Sequence, residues 1–329
     1  MHVGDWLQRH QVAVYAASVL VAVGLGVGAS TAATLFERAI TPVLAVLLYV
    51  TFLEIPFTRL RDAFTNTRFV AAALGVNFLA VPLVVFGLIQ LLPSEPAIVL
   101  GVCMVLLTPC IDYVIAFTGL AGGNAEQMTA VTPVLLLVQF LLLPVYLWLF
   151  VGPQVVDIIA VGPFAEAFLF LILLPLMFAW LTEAWANRSD VGRRWQRTMG
   201  LLPVPMMGLT LLVVIASQLP RVEASLGRVA VVVPVYVAFL VVMPLVGRLT
   251  AGLFRMDLGE SRALVFTSVT RNSLVVLPLA LALPPAYSLV PAVVVTQTLV
   301  ELVGMVVLTR LVPAWLVRTA PTTPWLSRS

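Results

Sequence analysis

This sequence predicts an all-α integral membrane protein: ten transmembrane helices arranged as two inverted five-helix repeats. Three observations carry that prediction. First, 61% of the 329 residues are hydrophobic and only 10% charged, with a mean hydropathy of +1.10. Soluble domains carry about 25% charged residues, so this chain is suited to a bilayer. Second, apolar runs of about 20 residues recur, the length needed to cross a hydrocarbon core, whereas a barrel would alternate polar and apolar positions. Third, the arginines fall unevenly between alternate loops.

Taken in order, the spans cover about 11–28, 40–57, 69–92, 96–120, 127–150, 163–183, 199–219, 229–250, 262–283 and 288–312. The first follows Arg9 and, at 18 residues, is longer than a usual signal-peptide core, so it reads as a membrane helix. Pro93 ends the third span, and Gly122-Gly123-Asn124 turns the chain into the fifth. Pro284-Pro285 leads into the tenth, and Asn187–Arg197 is an arginine-bearing loop.

Ten spans put 14 arginines on the side of the N-terminus, among them Arg59, Arg61, Arg68, Arg188, Arg193, Arg194, Arg197 and Arg310. Only Arg38, Arg221 and Arg228, 3 in all, fall on the other side. Basic residues concentrate on the cytoplasmic face, so both termini are expected there. The net charge of +3 is explained by these loops and calls for no nucleic-acid partner.

Two spans carry polar interruptions. In Thr108-Pro109-Cys110-Ile111-Asp112-Tyr113, the proline removes a backbone donor and disfavours helical geometry before it, so the fourth span breaks there. Freed backbone groups are tolerated in a bilayer only where protein or a cavity surrounds them. Asp112 adds a cost of about 2.5–3.5 kcal/mol at a helix centre unless it is paired, protonated or hydrated. In the ninth span, Thr267-Ser268-Val269-Thr270-Arg271-Asn272-Ser273 forms the second interruption.

Shifting one half by 162 residues places Pro109 on Arg271, Cys110 on Asn272 and Gln139 on Glu301. An odd number of spans per half inverts the second, so residues 1–152 and 153–329 read as inverted repeats in one transmembrane domain. Carriers of that design place substrate at mid-membrane between discontinuous helices. The two breaks are expected to cross, with Pro109 and Thr270 as break points and Cys110, Asp112, Arg271 and Asn272 around the substrate. Arg271 is expected to pair with Asp112, and a carboxylate left over, Glu301 with Asp112 as its companion, suits proton coupling. Asn77, Gln139 and Gln297 read as interhelical hydrogen-bonding residues, and Glu54 as an interface ion-pair partner of the arginines after it.

Cys103 and Cys110 lie seven residues apart, roughly 10 Å along a helix, too far for a disulfide. As a free thiol at a helix break, Cys110 suits a thiophilic metalloid in transient contact. His2 and His10 are both N-terminal, so no Ser/His or Cys/His pair exists within the spans, and no phosphate-binding GxxxxGK[ST] loop is present. An enzyme is therefore not expected, nor a cofactor or resident metal.

The chain resembles the bile acid/sodium symporter superfamily. The resemblance rests on ten spans, on Pro109-Cys110-Ile111-Asp112-Tyr113-Val114, and on Gly119-Leu120-Ala121-Gly122-Gly123-Asn124. It is most similar to the arsenite-efflux carriers, which share a cysteine-isoleucine pair in broken span four, an asparagine in the span-nine break and a glutamate in span ten. Those features match Cys110-Ile111, Asn272 and Glu301. The resemblance implies a panel of spans one, two, six and seven beside a core of spans three to five and eight to ten. It also implies an antiporter exchanging arsenite or antimonite for protons in a prokaryotic inner membrane, with a small organic anion as the alternative cargo. Two departures stand out. Arsenite carriers have an arginine before the cysteine where this chain has Pro109, and sodium-coupled relatives have Ser-Asn and Glu/Gln pairs where it has Asp112-Tyr113, Thr267 and Arg271. An arginine in a sodium position argues against sodium coupling.

Overall fold

The computed structural model describes residues 3–28, 33–53, 66–111, 113–152 and 169–317. Asp112, and the segment holding Glu54, Arg59 and Arg61, lie outside the described residues, so neither the Asp112–Arg271 pair nor the Glu54 pair is described. The described chain is helical: α1 (Val3–Gly28), α2 (Ala33–Phe52), α3 (Thr67–Gly75), α4 (Val81–Ile89), α5 (Pro96–Leu106), α6 (Tyr113–Leu120) and α7 (Ala125–Val151). There follow α8 (Leu174–Ala186), α9 (Asp190–Met199), α10 (Pro203–Ala224), α11 (Val233–Leu253), α12 (Leu258–Val269), α13 (Ser273–Leu281) and α14 (Val290–Leu311). Among the described residues, six stretches are long and apolar enough to cross a membrane, within Leu35–Phe52, Thr67–Ile89, Ala125–Val151, Pro203–Pro220, Leu226–Leu253 and Pro285–Leu316. The protein is thus a multi-pass membrane protein of helical type.

Side-chain caps start several of these helices. Asn66, Asn124 and Ser189 accept from the backbone N–H groups of Phe69, Gln127 and Gly192 at 3.1, 3.0 and 2.9 Å, each supplying an acceptor to an otherwise orphaned donor. Asp257 and Glu260 form a reciprocal capping box that starts α12 four residues earlier than hydropathy alone suggests. Glu260 also accepts from Asn66 Nδ2 at 2.6 Å and Gln127 Nε2 at 3.3 Å, tying the starts of α3, α7 and α12 together.

One loop expectation needs correcting. Residues 190–199 form helix α9, capped by Ser189, with Asp190 in its first turn and Arg197 in its last. These charges complement the helix dipole. Hydropathy registered only the polarity of the segment, which a helix lying outside the apolar layer shares with a loop.

Helices α1 and α2 pack on α10, and α8 packs on α2 and α9. A second set joins α11 to α12, α14 to α5, α11 and α13, and α7 to α5 and α6. Glycine permits the closest crossings. A Cβ at Gly101 would stand 2.8 Å from Val293 Cγ1, and one at Gly247 would stand 3.0 Å from the Val265 backbone. Small residues at such points let membrane helices approach closely. The outer flanks invert the soluble pattern: Leu253 on α11 is 81% exposed, whereas Arg271 is 0% exposed. Lipid solvates the first at no cost, while the second needs partners inside the protein.

Candidate functional site

Both expected breaks are present, and they cross. α5 ends at Leu106 and α6 begins at Tyr113; α12 ends at Val269 and α13 begins at Ser273. Between them the two extended segments form an antiparallel bridge, Pro109 opposite Arg271. Cys110 N–H donates to Thr270 O at 3.1 Å, and Asn272 N–H donates to Thr108 O at 2.8 Å. Backbone groups that α5 and α12 can no longer satisfy thus pair with each other, which is how an interrupted helix survives away from water.

Side chains reach several of the remaining helix-end carbonyls. The Thr108 hydroxyl lies 3.1 and 3.0 Å from the carbonyls of Met104 and Val105, and the Thr270 hydroxyl donates to Phe266 O at 2.9 Å. Arg271 reaches three more. Its Nη1 donates to Leu106 O at 3.2 Å, and its Nη2 to Thr267 O at 2.7 Å, Ser268 O at 2.8 Å and Asn77 Oδ1 at 2.9 Å. The guanidinium also lies over the Phe239 ring, 5.4 Å from its centroid, an arrangement favourable to a desolvated cation. Two helices point their C-terminal ends, which carry partial negative charge, at this single cation.

Glu301, on α14, meets the same crossing. Its carboxylate accepts from the Arg271 backbone N–H, 3.2 Å from Oε1 and 3.0 Å from Oε2. Tyr113 Oη lies 2.6 Å from Oε1, and Gln297 Nε2 donates to Oε2. Side chain and backbone of Arg271 therefore serve different partners, the guanidinium holding helix ends and the amide holding Glu301.

Cys110, Arg271, Asn272 and Glu301 come together with both break points, Pro109 and Thr270, and all four are at most 1% exposed. Both cysteines are thiols. Asn272 caps α13 through its side-chain oxygen, which accepts from Val275 N–H at 3.3 Å, and its Nδ2 has no protein partner. Arg271 Nε and Gln297 Oε1 are likewise unpartnered. Such buried groups each cost about 1–3 kcal/mol, so a cluster of them marks a place where a polar ligand or water would be stabilised. Gln139 and Gln297 depart from their expected interhelical bonding: both amide atoms of Gln139 are buried without a partner, and Gln297 bonds Glu301 within the same helix, α14. Among the described residues no group of three or more His, Cys, Asp or Glu side chains is arranged to hold a metal.

Two residues are more central than the sequence suggested. Asn77 occupies the π-helical turn Val76–Ala80 between α3 and α4, and besides accepting from Arg271 it donates to Thr267 Oγ1 at 3.1 Å. π-turns frequently accompany functional sites, and a buried amide in an apolar run was the available signal. Tyr113 bridges Glu301 and the Arg271 carbonyl; its position beside Asp112 at the break was the only hint.

No curated protein matches the chain. A family model described as the sodium bile acid symporter family matches residues 41–225, more than half of the 329. Members of this family are membrane transporters rather than enzymes, in keeping with a helical multi-pass chain whose polar side chains gather at a crossing of two broken helices. The chain belongs to the sodium bile acid symporter family.

Proposed function

We propose that this protein is a proton-coupled secondary exporter of arsenite or antimonite, working as an antiporter in a prokaryotic inner membrane. The observation that carries the reading is the convergence, at one bridged crossing, of a buried thiol, Cys110, with Asn272, Arg271 and the carboxylate of Glu301. In this reading the chain crosses the membrane ten times as two inverted repeats, 1–152 and 153–329, with both termini cytoplasmic. Helices α1, α2, α8 and α10 pack chiefly on one another, meeting the other set where α10 lies on α14 and α2 on α13, a grouping that supports a panel working against a core.

Arsenite at neutral pH is an uncharged trihydroxide, offering both hydrogen-bond donors and acceptors. The Asn272 amide N–H groups suit its oxygens, and the Cys110 thiol suits its soft centre. A single thiol gives a contact weak enough to release, which a carrier needs. Asp112 is assigned beside Cys110 on sequence grounds. Arg271 supplies positive charge at the crossing, and its Nε has no protein partner. Glu301 takes up and gives off the coupling proton, with Asp112 as a second carboxylate.

The test is arsenite resistance of an exporter-deficient strain carrying the wild type, Cys110→Ser or Glu301→Gln. Wild type should restore growth and both variants should lose most of that protection. Everted vesicles acidified inside should accumulate arsenite through the wild type; accumulation unaffected by Glu301→Gln would remove the proton role from that residue.

A second reading is favoured by the family description, since bile acids are organic anions: a sodium-independent carrier of small organic anions. It predicts thermal stabilisation by a carboxylate or sulfonate, indifference to Cys110→Ser, and no arsenite resistance. The engagement of both Nη atoms of Arg271 by protein oxygens weighs against its serving as an anion clamp.

A further inference from the structure

On the outer flank of the molecule, α11 and α14 leave a groove of about 810 Å³ between them. Small-molecule sites usually enclose about 300–1,000 Å³, so the groove is large enough for one. Its walls include Val241 and Leu245 of α11 and Val303 and Val307 of α14, all exposed, and every lining residue is apolar. Gly304 lets the two helices close together, since an added Cβ there would stand 2.6 Å from Leu240 Cδ1. One end of the groove is basic. Arg248 lies two turns beyond Val241 on the same face of α11, and its Nε donates to the carbonyl of Leu316, a lining residue, at 3.3 Å. Arg310 follows Val307 by one turn, in the last turn of α14, and Trp315 lines the groove while 72% exposed. Among the described residues, neither arginine has a carboxylate partner.

An apolar trough that ends at two guanidinium groups and an exposed tryptophan is complementary to a long hydrocarbon tail with an anionic head. Guanidinium forks hold phosphate oxygens in pairs, and tryptophan settles at the level of lipid head groups. Basic pockets between membrane helices recognise anionic head groups, which are abundant on the side where arginines concentrate. We propose that the α11–α14 groove binds an anionic phospholipid, with an acyl chain along the groove and the phosphate at Arg248 and Arg310. A second copy of the chain fits this surface less well. Two-fold pairing sets one patch against itself, so a groove would meet a groove and arginines would meet arginines. The site lies on a different face of α14 from Glu301 and is independent of the cargo.

The test measures lipid retained by the purified full chain in neutral detergent, by native mass spectrometry. The probes are phosphatidylglycerol and phosphatidylcholine with the same acyl chains, with inorganic phosphate as competitor. Wild type should hold phosphatidylglycerol about tenfold more tightly than phosphatidylcholine, and inorganic phosphate at equal concentration should not displace it. Arg248→Gln and Arg310→Gln should each weaken phosphatidylglycerol about fivefold, the effect of one basic residue at an anionic surface, and leave phosphatidylcholine unchanged. Val303→Trp, which fills the groove from its exposed wall, should lower retention of both lipids. Arg310 makes no described side-chain bond, so its variant tests the head-group contact even where Arg248→Gln fails to fold. Equal retention of the two lipids by wild type would overturn the proposal, as would a preference that both arginine variants keep. Displacement by inorganic phosphate would leave a phosphate site without the groove. A dimer that Val303→Trp abolishes would give the groove to a second copy, and either result would also overturn it.

Discussion

The Tyr113 hydroxyl lies 2.6 Å from Glu301 Oε1 and 3.1 Å from the Arg271 carbonyl oxygen, and it has one proton to donate. With Glu301 ionised, the proton goes to the carboxylate. With Glu301 protonated, the acid can donate to the Tyr113 oxygen while the hydroxyl turns to the carbonyl. Both protonation states are thus accommodated by rotating one O–H bond. Tyr113→Phe removes that freedom. A hydrogen bond to a charged group contributes about 1.5–3 kcal/mol, so proton-driven uptake into vesicles should slow about tenfold or more. An unchanged initial rate would take the hydroxyl out of the mechanism.

Asn77 links the guanidinium of Arg271 to the Thr267 hydroxyl, at 2.9 and 3.1 Å. Asn77→Leu keeps the branched shape but removes these bonds and the one to Ala73 O, leaving a buried cation short of an acceptor. The expected loss is about 1.5–3 kcal/mol of stability, visible as a lower thermal unfolding temperature. Asn77→Asp, which can still accept from Arg271, should retain more of the stability than Asn77→Leu; the reverse order would contradict the arrangement.

Gly247 sets the distance between α11 and α12, where an added Cβ would meet Ser268 Oγ at 2.5 Å and the Val265 backbone at 3.0 Å. Backbone cannot yield as a side-chain tip can. Gly247→Ala should therefore shift α12, the helix whose end carries Arg271, and cost about 1–3 kcal/mol. Because that shift reaches the crossing, transport rate should fall together with thermal stability. Gly87→Ala, at a position with nothing within 4 Å of the added carbon, is the matched control and should be nearly silent.

The capping box of α12 gives a contrasting expectation. Asp257→Ala removes the acceptor 2.7 Å from Glu260 N–H and should cost about 1 kcal/mol of stability. The box lies at the far end of α12 from the break, so cargo preference should be unchanged. A selective change in preference, measured by competition between arsenite and an organic anion, would mean that the two ends of α12 are coupled.

The breaks were legible because proline, arginine and asparagine are each costly inside an apolar run, and cost is what a sequence displays. The 162-residue offset went further, setting Pro109 opposite Arg271, the same two residues that face each other across the bridge. What the guanidinium binds was not legible. Its acceptors are mostly main-chain carbonyls, which every residue possesses, so no side-chain pattern announces them. Gln139 failed for a related reason: an amide in a membrane helix calls for a partner, yet composition cannot say whether that partner belongs to the protein. The helix at 190–199 was hidden because its signal is polar, and a hydropathy reading treats polar as loop.

The pairing of the two broken segments has a consequence for how such a site diversifies. Cys110 and Thr270, like Asn272 and Thr108, are joined through main-chain atoms. Main-chain bonds do not depend on which side chain each residue carries. The thiol at position 110 can therefore be exchanged for another small group without unfastening the joint. In the metalloid reading, a lineage can change its cargo chemistry at this point while keeping the main-chain bonds that join the two broken segments.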